Sequence, residues 1–176
     1  MNKNTMYLVV AVLIVIIVVG VAGYMLLNNG GTDDTNATPT PGPSATVVGA
    51  TTVQFSVNET TTATGDLVGY SFACKNYNTA NEVIRVDLCI ADQTYSYILD
   101  AGQEKSWASM DSGATWTATT FSDDWVAYGS LFNDFVGKLA DQGNTNDLSY
   151  TADATSITIY SVVVNETIAD STFATS

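Results

Sequence analysis

FSDDWVAYGSLFNDFVGKLADQG, residues 121–143, is where the hydrophobic period of this chain changes. Trp125, Tyr128, Phe132, Phe135 and Leu139 recur at steps of three and four, which makes one stripe of a helix and cannot make one face of a strand. The end signals agree with a helix. Ser122 can cap its start, Asp123 and Asp124 suit the positive end of the dipole, Lys138 suits the negative end, and Gly143 can close it.

On both sides of that helix the period is two. Val53, Phe55 and Val57 alternate with Gln54, Ser56 and Asn58, so the first strand has one buried and one wet face. Val68, Tyr70, Phe72 and Cys74 form the apolar parity of a second strand; Ile84, Val86, Leu88 and Ile90 form that of a third, with NYNTANE as the turn-rich connection. Tyr95, Tyr97 and Leu99 run into Asp100-Ala101-Gly102, the stretch Glu104 to Met110 carries Trp107, and Asp111-Ser112-Gly113 marks a second tight turn. A further strand is expected from Thr115 to Phe121 with Trp116, and Leu148 to Thr151 with Ser156 to Val164 form a closing hairpin around Asp153. The fold class is therefore α+β: a mainly antiparallel sheet packed against one amphipathic helix.

Upstream, residues 6–27 are an unbroken apolar run with Lys3 as the only charge before it and all 18 acidic residues after it. About 21 residues at 1.5 Å rise match the ~30 Å hydrocarbon core. The reading is a single-pass anchor in the cell membrane with residues 1–5 in the cytoplasm and the rest extracytoplasmic. A cleaved signal peptide is the rival, because Val21, Ala22 and Gly23 resemble a cleavage site, but the run exceeds an h-region of ~7–15 residues. No Cys follows the run to carry a lipid, and no basic residue directly precedes it as in a pilin-type signal. Residues 28–46 are a Thr-, Gly- and Pro-rich tether in which Pro39, Pro41 and Pro43 favour extended chain, and residues 47–176 are the size of one domain.

Composition narrows the function. The net charge of −13 disfavours nucleic acid and anionic headgroups as partners, and an acidic, Thr- and Asn-rich chain of this kind resembles surface proteins of archaea or salt-adapted microbes. Without histidine, Ser-His and Cys-His nucleophile-base pairs are impossible. Asp111-Ser112-Gly113 matches the aspartic-protease triplet, yet a hairpin turn wants the same residues and the domain is too short for two lobes. Asp141, Asn144, Asn146 and Asp147 offer oxygen ligands but lack EF-hand spacing, so they read as a polar helix-ending turn. The expectation is a protein with no catalysis, cofactor or metal. Asn36, Asn58 and Asn165 are glycosylation sequons. Cys74 and Cys89, on neighbouring strands, are candidates for a disulfide, although their opposite parities would require a bulge.

The pattern YILDAG, DSGATW, helix and VVVNETIADSTF resembles the LolA-like lipoprotein-carrier superfamily, with Asn165, Asp170, Ser171 and Phe173 at the places of its closing Asn and acidic-Ser-x-Phe turn. The resemblance implies a strongly curved half-barrel whose open side is covered by helices and which can hold acyl chains. On that reading Tyr70, Phe72, Tyr97, Leu99, Trp107 and Trp116 line a hollow roofed by Trp125, Phe132 and Phe135, and the chain binds a lipid or another hydrophobic ligand. The alternative is that these aromatics fill the core, leaving a non-catalytic surface interaction or envelope domain. One clear helix, where the carriers have more, and a tether, where a shuttle must diffuse, depart from the family.

Overall fold

The computed structural model describes residues 46–175. The expected cytoplasmic segment 1–5, the anchor 6–27, tether residues 28–45 and Asn36 lie outside them. Among the described residues no helix is long and apolar enough to cross a membrane.

Those residues form eight strands: β1 (Thr52–Thr61), β2 (Leu67–Lys75), β3 (Val83–Ile90), β4 (Gln93–Asp100), β5 (Lys105–Ser109), β6 (Thr117–Thr119), β7 (Leu148–Ala152) and β8 (Thr155–Val164). They make one open, curved antiparallel sheet in the order β6-β5-β4-β3-β2-β1-β8-β7. Six strands follow one another as a meander, and the final hairpin returns to the far side of β1. Between β6 and β7 the chain runs through a continuous helix of 22 residues, composed of α1 (Phe121–Asp124), a π segment (Trp125–Gly129) and α2 (Ser130–Gln142).

The alternation in the sequence decides the two faces. On β1 the buried residues are Val53, Phe55 and Val57; their partners across the ladder, Cys74, Phe72 and Tyr70, are buried with them. Ile84, Val86 and Leu88 of β3 continue the same face, followed by Leu99, Tyr97 and Tyr95 of β4. The helix lies across this inner face. Its front meets β5, where Asp124 accepts a hydrogen bond from Ser106 Oγ at 2.6 Å; its middle places Tyr128 on Tyr97 of β4; further on, Phe132 packs on Phe55 and Phe72 of β1 and β2. Leu131, Phe132, Phe135, Val136 and Leu139 are buried, and each stabilises the fold by about 1.5–3 kcal/mol through area removed from water.

Two expected boundaries move. The strand expected from Thr115 to Phe121 shrinks to Thr117–Thr119, because Asp111 takes both the backbone N–H and the hydroxyl of Thr115 and keeps residues 111–115 in the turn. The helix starts at Phe121, with Thr120 rather than Ser122 before its first turn: Asp123 N and Asp124 N both donate to Thr120 O, while the Ser122 hydroxyl reaches only Asp123 at 3.5 Å. Lys138 sits ahead of the last turn, with its ammonium 6.0 Å from the Tyr150 ring centre. Gly143 does end the helix. At φ +74° it takes the left-handed conformation that glycine adopts without strain, and its N–H bonds back to Leu139 O and Ala140 O.

The helix widens once, at the π segment. Gly129 closes the π segment with the Trp125 indole lying over it, so close that an added Cβ would stand 2.8 Å from Trp125 Cδ2. A glycine there lets the ring fold back along the helix.

Candidate functional site: two faces of one sheet

On the inner face the structure brings together six of the nine residues expected to line a hollow. Tyr70, Phe72, Tyr97 and Leu99 from the sheet and Phe132 and Phe135 from the helix are all buried there. They meet as rings in contact: Phe72 lies 5.8 Å from both Phe132 and Phe135, and Tyr70 lies 5.9 Å from Phe72. The organising ring is Phe55, within 5.0 Å of Phe72, 5.6 Å of Phe132 and 6.3 Å of Phe135. The sequence places Phe55 on the buried parity of β1 and carries no signal for its place at the centre of this cluster. Tyr128, on the helical stripe, meets Tyr97 with ring centres 4.1 Å apart and planes tilted by 31°.

The other three tryptophan positions differ. Trp125 is half-buried at the helix front beside Phe121, 5.3 Å away. Trp107 is in register with Ile98 and Ala118, which puts it on the face opposite Tyr97 and Leu99. Trp116 precedes β6 and stands over the Arg85 guanidinium at 5.8 Å, on that same outer side. Trp107 and Trp116, expected to line the wall of the hollow, therefore lie on the other side of the sheet.

A few polar groups are enclosed with the aromatic layer. Tyr70 donates its hydroxyl to Glu59 at 3.4 Å, and burial holds the Glu59 carboxyl above the usual carboxylate range. Burial also pushes the hydroxyls of Tyr70 and Tyr128 well up, so both stay protonated.

The outer face is built differently. Arg85 on β3 grips Asp87 with Nε and Nη2 at 3.0–3.1 Å, Ser96 donates to the same carboxylate at 2.5 Å, and Arg85 Nη1 donates to Thr172 O at 2.9 Å. Thr172 belongs to a strap, residues 165–175, that leaves β8 and crosses the ends of β1, β2 and β3. Thr51 N donates to Asn165 Oδ1 (2.8 Å), Thr52 Oγ1 to Glu166 O (2.8 Å), and Lys75 reaches Asp170 at 3.2 Å with the Phe173 ring 4.7 Å from its ammonium. Asp170–Phe173 form a 3-10 turn. Between strap and sheet lies a trough of about 510 Å³, with Gln54, Ser56, Ser71, Asp87 and Arg85 on its floor and Ser161, Val163 and Glu166 at its side. A bulge shapes that side: the β1–β8 register shifts between Gln54 and Ser56, and Ser161 adopts φ +55°.

No family model, no curated protein and no solved structure matches the chain.

The remaining candidates resolve locally. Asp111 accepts from the Ser109 hydroxyl (2.6 Å) and from the Thr115 hydroxyl and N–H (2.6 and 2.8 Å), which holds its carboxyl down to about 2, an ionised turn-former. Beyond the helix, Asn144 accepts from Asn146 N and Gln142 Nε2, and Asp147 accepts from Ser161 N; among the described residues no three His, Cys, Asp or Glu side chains are grouped to hold a metal. Asn58 lies within β1 on the outer parity, and Asn165 is exposed at φ +60°.

In the structure Cys74 and Cys89 are free and stand apart, against the expected pairing. Cys74 is in register with Ile84 and Cys89 with Gly69, along an uninterrupted β2–β3 ladder. The sulfurs belong to opposite faces and the cysteines stand some five residues, or ~17 Å, apart along the strands, against a Cα separation of about 4.4–6.8 Å for a bridge. Cys74 is a buried thiol and Cys89 an exposed one.

Proposed function

We propose that this chain is a membrane-anchored, extracytoplasmic binding protein without catalytic chemistry, whose sheet domain has a filled inner face and acts as a cell-surface interaction or envelope module. The observation that carries the reading is the aromatic contact set centred on Phe55, in which the rings expected to border a hollow touch one another instead. The LolA-like resemblance rests on the sequence pattern alone; its residues Asp170, Ser171 and Phe173 lie in the 3-10 turn of the strap. The apolar run and acidic body of the sequence support the anchored, outward-facing placement.

Magnitudes favour the filled interior over lipid carriage. Displacing the buried residues of the helix costs on the order of 10 kcal/mol of apolar burial, about what an acyl chain of roughly 16 carbons returns at ~0.8 kcal/mol per CH₂. The two magnitudes nearly offset, so little net driving force is left for uptake. The test is purification of the full-length chain followed by native mass spectrometry and titration with a fluorescent fatty acid. The expected result is a bare protein with no saturable fluorescence; co-purifying acyl species or saturable uptake would restore the hydrophobic-ligand reading.

A further inference from the structure

We infer that the outer-face trough is a saccharide site, taking a neutral polyhydroxylated ligand of one to two sugar rings. This goes beyond the function proposed above and does not depend on whether the inner face is filled. The trough's volume of about 510 Å³ lies within the ~300–1,000 Å³ range of small-ligand sites.

The chemistry of the walls selects the ligand. Gln54, Ser56, Ser71, Arg85, Asp87 and Glu166 line one space, the first five on the outer parity of β1, β2 and β3, with the backbone of Phe55, Phe72 and Ala73 between them. An acyl or aromatic ligand would strip water from these groups without replacing its hydrogen bonds, which is unfavourable for every polar group left unpaired. An anion meets Asp87 and Glu166 on a chain of net charge −13, and the one cation of the trough is already neutralised by Asp87 through three contacts. A hydroxyl group both donates and accepts without charge. A ligand made of hydroxyls alone can therefore answer donors and acceptors that alternate across β1, β2 and β3.

The floor is also held still before any ligand arrives. Asp87 and Thr172 O fix Arg85, Trp116 stands over its guanidinium, and the Ser56 and Ser71 hydroxyls lie 3.3 Å apart as a cross-strand pair. Side chains ordered in advance lose little freedom on binding. The bulge at Ser161 and the strap keep the sides of the trough apart.

The experiment titrates the full-length chain with maltose, cellobiose and N,N′-diacetylchitobiose, read by saturation-transfer NMR. Saturable binding of at least one disaccharide is expected, with Kd about 1 mM, a usual depth for a few exposed hydrogen bonds. S71W fills the trough and should weaken that binding at least about tenfold, or 1.4 kcal/mol; S122W, the same addition at the exposed helix start, should leave it unchanged. Gln54→Ala, which only removes the amide, should weaken binding in the same direction, so the inference stays testable if S71W misfolds by circular dichroism. Absence of saturation with all three sugars, binding indifferent to Ser71 and Gln54, or occupation by a blocked Ala/Ser tetrapeptide in their place would overturn it.

Discussion

Glu82 is held in an unfavourable place for a charge. It follows the β2–β3 loop, accepts from Asn78 N at 2.8 Å through Oε2, and leaves Oε1 buried without a partner; burial raises its carboxyl above the usual carboxylate range. A carboxyl raised in this way binds protons more tightly in the folded than in the unfolded chain, so folding stability rises as pH falls from the folded value toward the unfolded one. Glu59 and Asp134 are raised by burial too and add in the same sense, whereas Asp111, held down to about 2, contributes stability above an unfolded value near 3.8 that is lost as pH falls toward 2. The expected thermal profile therefore climbs on acidification toward the unfolded glutamate value of 4.5 and loses the Asp111 contribution as pH falls from 3.8 toward about 2. Glu82→Gln should flatten the climb and leave the acid limb in place; melting curves from pH 3 to pH 7 that superimpose on the parent's in slope would refute this. The two thiols give a second residue-scale outcome. Cys89 should react with a maleimide reagent in the folded protein, whereas Cys74, fully buried and with its thiol pushed well up by that burial, should react only on denaturation. Recovery of a Cys74–Cys89 linked peptide without reduction would contradict the register of β2 and β3.

At the scale of elements, the strap depends on Lys75. One ammonium holds both the Asp170 carboxylate and the Phe173 ring, and the ion pair alone is worth little because the Asp170 side chain is 96% exposed. Lys75→Ala removes both contacts, leaving Arg85 Nη1 to Thr172 O as the hold on the turn. Amide exchange at residues 170–173 should accelerate about tenfold or more, at a cost of 1–2 kcal/mol in local opening, while the central strands keep their protection. Unchanged exchange there would show that Lys75 is dispensable. Elements of this kind differ in how far the sequence shows them. The strands β1 to β4 are legible because one face is dry and the other wet along their whole length, and the end of the helix is legible because Gly143 stands where a left-handed residue is needed. The start of the helix and the length of β6 are not, since both are decided by which backbone donors Thr120 and Asp111 capture, and several nearby Ser, Thr and Asp residues could have captured them.

Across the whole domain, burial is legible and partnership is not. Parity within a strand correctly grouped Tyr70 with Phe72 and Tyr97 with Leu99, because side-chain direction repeats every two residues. It does not carry through the turns at 101–104 and 111–115, so parity alone puts Trp107 and Trp116 on the face they turn away from. The trough was invisible for a related reason: Ser56, Ser71, Asp87 and Glu166 are scattered over 110 residues and become neighbours only through the pairing of β1 with β8 and the path of the strap. That pairing has a further consequence. The first strand of the domain sits between β2 and β8, so during synthesis β1 can acquire one neighbour early while its other edge stays open until Thr155–Val164 have been delivered. Completion of the sheet is thereby deferred to the synthesis of β8, and an interrupted product ending before Thr155 would expose the unpaired border of β1 to whatever strand it met first.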